Sequence, residues 1–135
     1  MKKFISGKMI NLAESRLGSK VVFKTDDFFA SANRIISSTT PVFKEGIFDK
    51  HGKWMDGWET RRRRSKGYDY LIIKLGRPGK IFNADIDTTY FSGNQPTHAS
   101  LQACFSNKNK PNNKSKWITI LKKKIIWKFS MLILI

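Results

Sequence analysis

The sequence predicts an all-β fold, a sandwich or jelly roll in one domain. Three observations lead there. β-Branched and aromatic residues gather in short runs, clearest at Lys20–Thr25 and Tyr68–Leu75. Two further runs alternate apolar and polar residues with a period of two, which turns one strand face inward and the other to water. Gly- and Pro-rich punctuation separates the runs at short intervals.

The elements follow in order. Asn11 is placed to cap a short helix, Glu14 to return the bond, and Gly18 to stop it. No longer helix is expected. Lys20–Thr25 is a strand; Asp26–Asn33 mixes acids with aromatics and reads as a turn. Residues 37–41, Ser-Ser-Thr-Thr-Pro, form a loop, and residues 49–52, Asp-Lys-His-Gly, a second turn. Tyr68–Leu75 is the clearest core strand, broken sharply by Gly76-Arg77-Pro78-Gly79. In the strand Lys80–Thr88, Phe82, Ala84 and Ile86 are expected inward, with Asn83, Asp85 and Asp87 wet. His98–Phe105 repeats the pattern with Ala99, Leu101, Ala103 and Phe105, after a Gly93–Pro96 loop.

Formal net charge is +16, unevenly spread. Residues 1–105 hold 18 Lys/Arg and 10 Asp/Glu, while residues 106–135 hold 8 Lys and no acid. The single cysteine, Cys104, excludes an internal disulfide and suits a reducing compartment; within an apolar alternation it reads as a small buried hydrophobe rather than a nucleophile. The apolar residues after Met1-Lys2-Lys3 are broken by Gly7, Lys8 and Asn11, so no leader is expected. The apolar stretch Ile125–Ile135 falls short of the roughly 20 residues that span a bilayer. A soluble, cytoplasmic protein with no membrane partner is predicted.

Residues 52–64, Gly-Lys-Trp-Met-Asp-Gly-Trp-Glu-Thr-Arg-Arg-Arg-Arg, carry the densest chemistry. Two tryptophans, two carboxylates and five cations share thirteen positions. Arg61–Arg64 alone would read as a solvated face or a nucleic-acid patch. Phosphate binding has no use for carboxylates beside the arginines. The combination points instead to a grip on a small, polar, anionic molecule: Arg for oxyanions, Trp for a wall, acid for proton transfer.

The same segment resembles the allantoicase family (allantoate amidinohydrolases), and the resemblance runs nearly unbroken over residues 11–104. It is carried by Asn11-Leu12-Ala13, Leu17-Gly18, residues 25–30 (Thr-Asp-Asp-Phe-Phe-Ala), residues 41–46 (Pro-Val-Phe-Lys-Glu-Gly) and residues 52–62. Asp69-Tyr70, residues 72–76 (Ile-Ile-Lys-Leu-Gly), Pro78-Gly79, Asp87-Thr88, Phe91, Gly93-Asn94 and Pro96 complete it. The resemblance implies a galactose-binding-like jelly roll, hydrolysis of allantoate to ureidoglycolate and urea, and a family built of two repeats, of which residues 1–105 correspond to the first. Allantoate carries a carboxylate and two ureido arms on one carbon. Breaking its carbon–nitrogen bond requires a cation on the carboxylate, an acid at the leaving nitrogen and a base for water.

By the family's motif, Arg61 and Arg62 are the expected substrate anchors. On a strand they point to opposite faces, so Arg61, on the face of Glu59, is preferred. Glu59 and Asp87 are the acid/base candidates, with Asp26 third; each is equally readable as the partner of a structural ion pair. Trp54 is the expected wall, and Asn94 the holder of a ureido group. His51 and His98 lack metal-ligand spacing, so no cofactor is expected, although carboxylates around a divalent ion stay open.

Residues 106–135 differ in kind. Trp117, Ile120 and Leu121 fit the family pattern of a connecting segment, and nothing beyond Leu121 does. The Lys-, Asn- and Ile-rich composition suggests out-of-frame translation after a frameshift or early stop, leaving a sandwich incomplete at its C-terminus. An open edge and uncovered apolar face would follow, with the β-prone stretch from Ile125 either replacing a lost strand or promoting aggregation. A second repeat or a second subunit would then complete the site. Two other functions compete: a non-catalytic ligand-binding jelly roll, and a nucleic-acid binder. The latter is disfavoured for lack of a basic helix or an aromatic-interleaved platform.

Overall fold

Val21, Val22 and Phe23 give the first strand its β-branched and aromatic character, and they place β1 at Lys20–Lys24. The structure, a computed structural model, describes residues 10–108, 110–125 and 131–134. The remaining strands are β2 (Phe48–Asp49), β3 (Gly52–Lys53), β4 (Leu71–Lys74), β5 (Asn83–Asp85), β6 (His98–Ala103), β7 (Ile118–Ile125) and β8 (Met131–Leu134). Every strand pairing is antiparallel: β1 with β4, β2 with β3, β5 with β8, β6 with β7. The β6–β7 pair nests inside the β5–β8 pair, the winding of a folded-over hairpin that jelly rolls are made from. The fold is the expected all-β sandwich type. Residues 1–9, read above for a leader, lie outside the described residues, as do residues 126–130 of the C-terminal stretch.

The strands are shorter than the sequence suggests, with consequences for individual side chains. β6 keeps its alternation, His98, Ser100 and Gln102 exposed and Ala99, Leu101 and Ala103 half-buried, but it ends before Phe105, which is 87% exposed. β5 begins only at Asn83, so Phe82 also faces water, at 57%. A register shift between Asn83 and Asp85 breaks the period of two, and Asp85, expected wet, is half-buried.

The N-terminal helix contracts to a 3-10 turn at Ser15–Leu17. Asn11 forms a turn of its own, its side-chain oxygen accepting the Ala13 N–H at 3.1 Å. The Glu14 carboxylate is taken by Arg16 rather than returning to Asn11. Gly18 ends the turn in the left-handed region, φ 91°. A second 3-10 turn, Ala32–Ile36, follows the acid-rich bend, its start capped by Ser31, whose hydroxyl accepts the Asn33 N–H.

The described core is small: Leu12, Ala13, Ala30, Ala32, Ile36 and Met55. One buried polar side chain locks it. The Ser19 hydroxyl donates to the Leu12 carbonyl and accepts the Gly76 N–H at 2.8 Å, so the polar atom is satisfied while it ties the start of the chain to the end of β4. The tail contacts β1, where the Lys110 ammonium lies 4.0 Å from the centre of the Phe23 ring, and is bent on itself by the Trp117 indole N–H, which donates to the Asn112 carbonyl at 2.9 Å.

Candidate functional site

Ala30 and Glu59 form an isolated antiparallel bridge, exchanging backbone hydrogen bonds of 3.1 Å. The bridge pins the middle of the 52–64 segment against the acid-rich bend and decides where its side chains go.

The Glu59 carboxylate turns into a cleft of about 250 Å³ lined by Phe29, His51, Lys53, Met55, Glu59 and Asn94. Asn94 donates its side-chain N–H to Glu59 at 3.2 Å. It arrives on a loop wound by hydrogen bonds from Phe91 to Thr88 and from Asn94 and Gln95 to Phe91. Two features seat that loop. Tyr90 takes a left-handed backbone, φ 68°, costly for a bulky residue and concentrated at functional sites. Gly57 leaves room for the Phe91 ring, since a Cβ there would lie 2.6 Å from it. Burial raises the Glu59 pKa from its ordinary value, and the Asn94 hydrogen bond partly opposes that shift.

The arginine run divides by parity. Arg61 and Arg63 hold acids: Arg61 forks onto Asp26 at 2.7 and 3.1 Å and adds its backbone N–H at 2.7 Å, while Arg63 reaches Asp69 at 2.8 Å. All four arginines are exposed. The Arg61 guanidinium also lies over Phe28, 5.2 Å from its centre. Asp26 additionally receives Trp58, whose indole N–H donates to its carbonyl at 2.7 Å. The Arg61 hydrogen bonds hold the Asp26 carboxyl below its ordinary pKa, and Arg63 does the same to Asp69.

That depression fixes the sign of one prediction. A carboxylate with a lowered folded pKa adds stability above its unfolded value, about 4, and loses it as pH falls through the folded value. Asp26→Asn should therefore flatten the acid limb of a stability–pH profile below about pH 4. An unchanged acid limb would show that the pair contributes nothing.

The remaining sequence-predicted residues lie elsewhere. Asp87 accepts both the backbone N–H of Thr89, at 2.8 Å, and its hydroxyl, at the start of the loop that carries Asn94. Trp54 lies beneath two cations, Arg34 at 4.9 Å and Lys44 at 4.6 Å from its ring centre. Neither lines the Glu59 cleft, nor do Arg61 and Arg62. Asp56, the other acid of the segment, accepts the Val42 N–H at 2.9 Å and organises a loop.

Two lining residues were assigned no role from sequence, His51 having been weighed only as a metal ligand. His51 packs against Phe28 with ring centres 4.3 Å apart and the planes tilted by 50°, and its Nδ1 is buried without a partner. Lys53 sits on β3, opposite Phe48 in register. The signal was present, since both flank the Trp-Met-Asp-Gly-Trp-Glu run, but an exposed cation and a turn histidine are common on any surface. Asp85 is pushed up to about 6 by burial and by Asp87, away from the cleft. Burial also raises the Cys104 thiol, which lowers its reactivity. Among the described residues no three His, Cys, Asp or Glu cluster as metal ligands, and no helix is long and apolar enough to cross a membrane.

The structure is an antiparallel β-sandwich with a small cleft in which an acid and an amide meet, with a lysine and a histidine among the other lining residues. The family described as "Allantoicase repeat" matches residues 10–128, and this chain belongs to it. The match passes Leu121, where the sequence pattern had ceased to be visible. The chain is 53% identical over 114 residues to the probable allantoicase of Pseudomonas fluorescens strain SBW25, covering 84% of this chain and 34% of that protein. It is 54% identical over 111 residues to the probable allantoicase of Acinetobacter baumannii strain SDF, covering 82% and 33%. It thus spans about a third of the length of these relatives. A solved allantoicase structure superimposes with a TM-score of 0.77 at 32% identity, over 96% of this chain and 39% of that one. The Saccharomyces cerevisiae allantoicase crystal structure gives 0.77 at 31% identity, with the same coverage.

Proposed function

We propose that the chain acts on allantoate, releasing urea and ureidoglycolate. The observation that carries this is the Glu59–Asn94 pair inside the cleft, an acid with a raised pKa beside an amide that can exchange its partner for a ureido group. The relatives that share the surrounding sequence are named as allantoicases.

The chemistry fits the groups. Water's oxygen bonds to the central carbon as the carbon–nitrogen bond breaks with its electron pair on nitrogen. Protonated Glu59 gives its proton to that nitrogen and recovers one from the attacking water, so urea leaves neutral. Asn94 orients the ureido arm by hydrogen bonding. Asp87 and Asp26 serve as positioning residues: Asp87 orders the start of the Asn94 loop, and Asp26 holds Arg61 and Trp58 behind the bridge.

Phe43, Phe48 and Tyr90 stay exposed around Lys53, at 45%, 69% and 47%. We read this rim as the surface that a further allantoicase repeat covers, from this or another subunit. Purified protein incubated with allantoate should release urea above the uncatalysed background. Absence of both urea release and allantoate binding would overturn the assignment, and full activity from a strict monomer of this length would remove the need for a further repeat.

A further inference from the structure

We propose that Lys53 is the group that binds the carboxylate of the ligand in the Glu59 cleft. This inference rests on the allantoate assignment and goes beyond it by naming the anchor.

The carboxylate needs a cation within the cleft, and the arginines of the run do not line it. Arg61 is committed to Asp26 by three hydrogen bonds and to the face of Phe28. Lys53 is the only Lys or Arg among the described lining residues. No carboxylate among the described residues lies within ion-pair distance of its ammonium, in contrast to Lys24, Arg16, Arg61 and Arg63. Its charge is therefore not already neutralised by the protein.

It is nevertheless held. The Lys53 ammonium lies 4.7 Å from the centre of the Phe43 ring. Phe43 in turn packs against Tyr90, with ring centres 5.6 Å apart. Tyr90 belongs to the loop that delivers Asn94 to Glu59. One loop thus supports the amide for a ureido arm and, through two rings, the cation for a carboxylate. An aromatic face attracts an ammonium without neutralising it, so an arriving carboxylate can draw it away. β3 adds the third restraint, since the Lys53 backbone is paired with Phe48 across the hairpin.

The test separates charge recognition from recognition of the arms. Allantoate is titrated against the chain by calorimetry, alongside diureidomethane, which keeps both ureido arms and lacks the carboxylate. Lys53→Met should weaken allantoate binding at least about tenfold, the scale of a hydrogen bond to a charged group, and leave diureidomethane within about twofold. Lys53→Arg should recover most of the loss, and a circular-dichroism melt of both variants checks that the fold is intact. Unchanged allantoate binding by Lys53→Met, or equal weakening of both ligands, would overturn the anchor role while leaving the allantoate assignment standing. Wild-type protein that binds neither compound would refute the assignment, and the anchor with it.

Discussion

Glu59→Gln should lower kcat for urea release from allantoate by at least about a hundredfold, the usual range for loss of a general acid. Gln is nearly the same size and can still accept the Asn94 N–H, so the cleft and its loop should keep their geometry. What disappears is the proton. KM should therefore change much less than kcat, the signature of an interaction made in the transition state. The pH profile offers a second reading. A general acid works only while protonated, so activity should fall as pH rises through the Glu59 pKa, which burial has moved upward. Asn94→Ala removes the hydrogen bond that opposes this shift and should move the basic limb to higher pH. A Glu59→Gln variant retaining more than a tenth of wild-type kcat would exclude Glu59 as the acid.

Gly76→Ala should be the most damaging single methyl in the described structure. A Cβ there would lie 2.0 Å from the Leu17 carbonyl oxygen, 2.6 Å from its carbon and 2.7 Å from the Gly18 carbonyl carbon. All three are backbone atoms, and neither side has a rotamer to change. The end of β4 must move away from the N-terminal turn, which breaks the Gly76 hydrogen bond to Ser19 and leaves the Gly76 N–H without its partner. We expect a loss of about 4 kcal/mol or more, at the severe end for one substitution. The melting temperature should drop by more than about 10 °C, if the variant folds at all. Gly57→Ala is the informative comparison. Its Cβ would also meet an atom at 2.6 Å, but that atom is the edge of the Phe91 ring, which can swing aside. Gly57→Ala should therefore melt clearly above Gly76→Ala. Equal loss would mean that the Phe91 ring is held as rigidly as backbone.

Much of the fold was legible beforehand because the pleat imposes a period of two on any strand with one buried face. β1, β4 and β6 lie inside the runs that their patterns mark. Strand ends were less legible. Phe82 and Phe105 satisfy the alternation on paper, yet both fall outside hydrogen-bonded strands and face water. Alternation identifies a residue that suits a buried face; it carries no information about whether a partner strand extends that far. The bulge at Asp85 escaped for the same reason, since a one-residue offset in pairing is decided by both strands.

The candidate site shows the same division. The concentration of Trp, Arg and carboxylate at residues 52–64 marked the segment, and the resemblance built on it named the family to which the chain belongs. It also selected Glu59 and Asn94, 35 positions apart, which the structure brings within 3.2 Å. It did not assign the cations. Strand parity put Arg61 on the same face as Glu59, but the chain around Glu59 is a single bridge to Ala30, followed by irregular backbone. Arg61 turns to Asp26, and Lys53 takes the place in the cleft.

By itself, then, the amino-acid order determined the all-β class, the family and the segment that bears the chemistry, because these depend on local periodicity and on residue types at fixed spacing. Only the tertiary structure decided which cation lines the cleft with Glu59 and which is spent on a structural acid. Charge attracts charge of the opposite sign wherever the chain brings them close, and among several Lys and Arg near several Asp and Glu the spacing along the chain does not rank the pairs. The Ala30–Glu59 bridge, which holds the acid-rich bend beside the arginine run, brings Arg61 to Asp26 here.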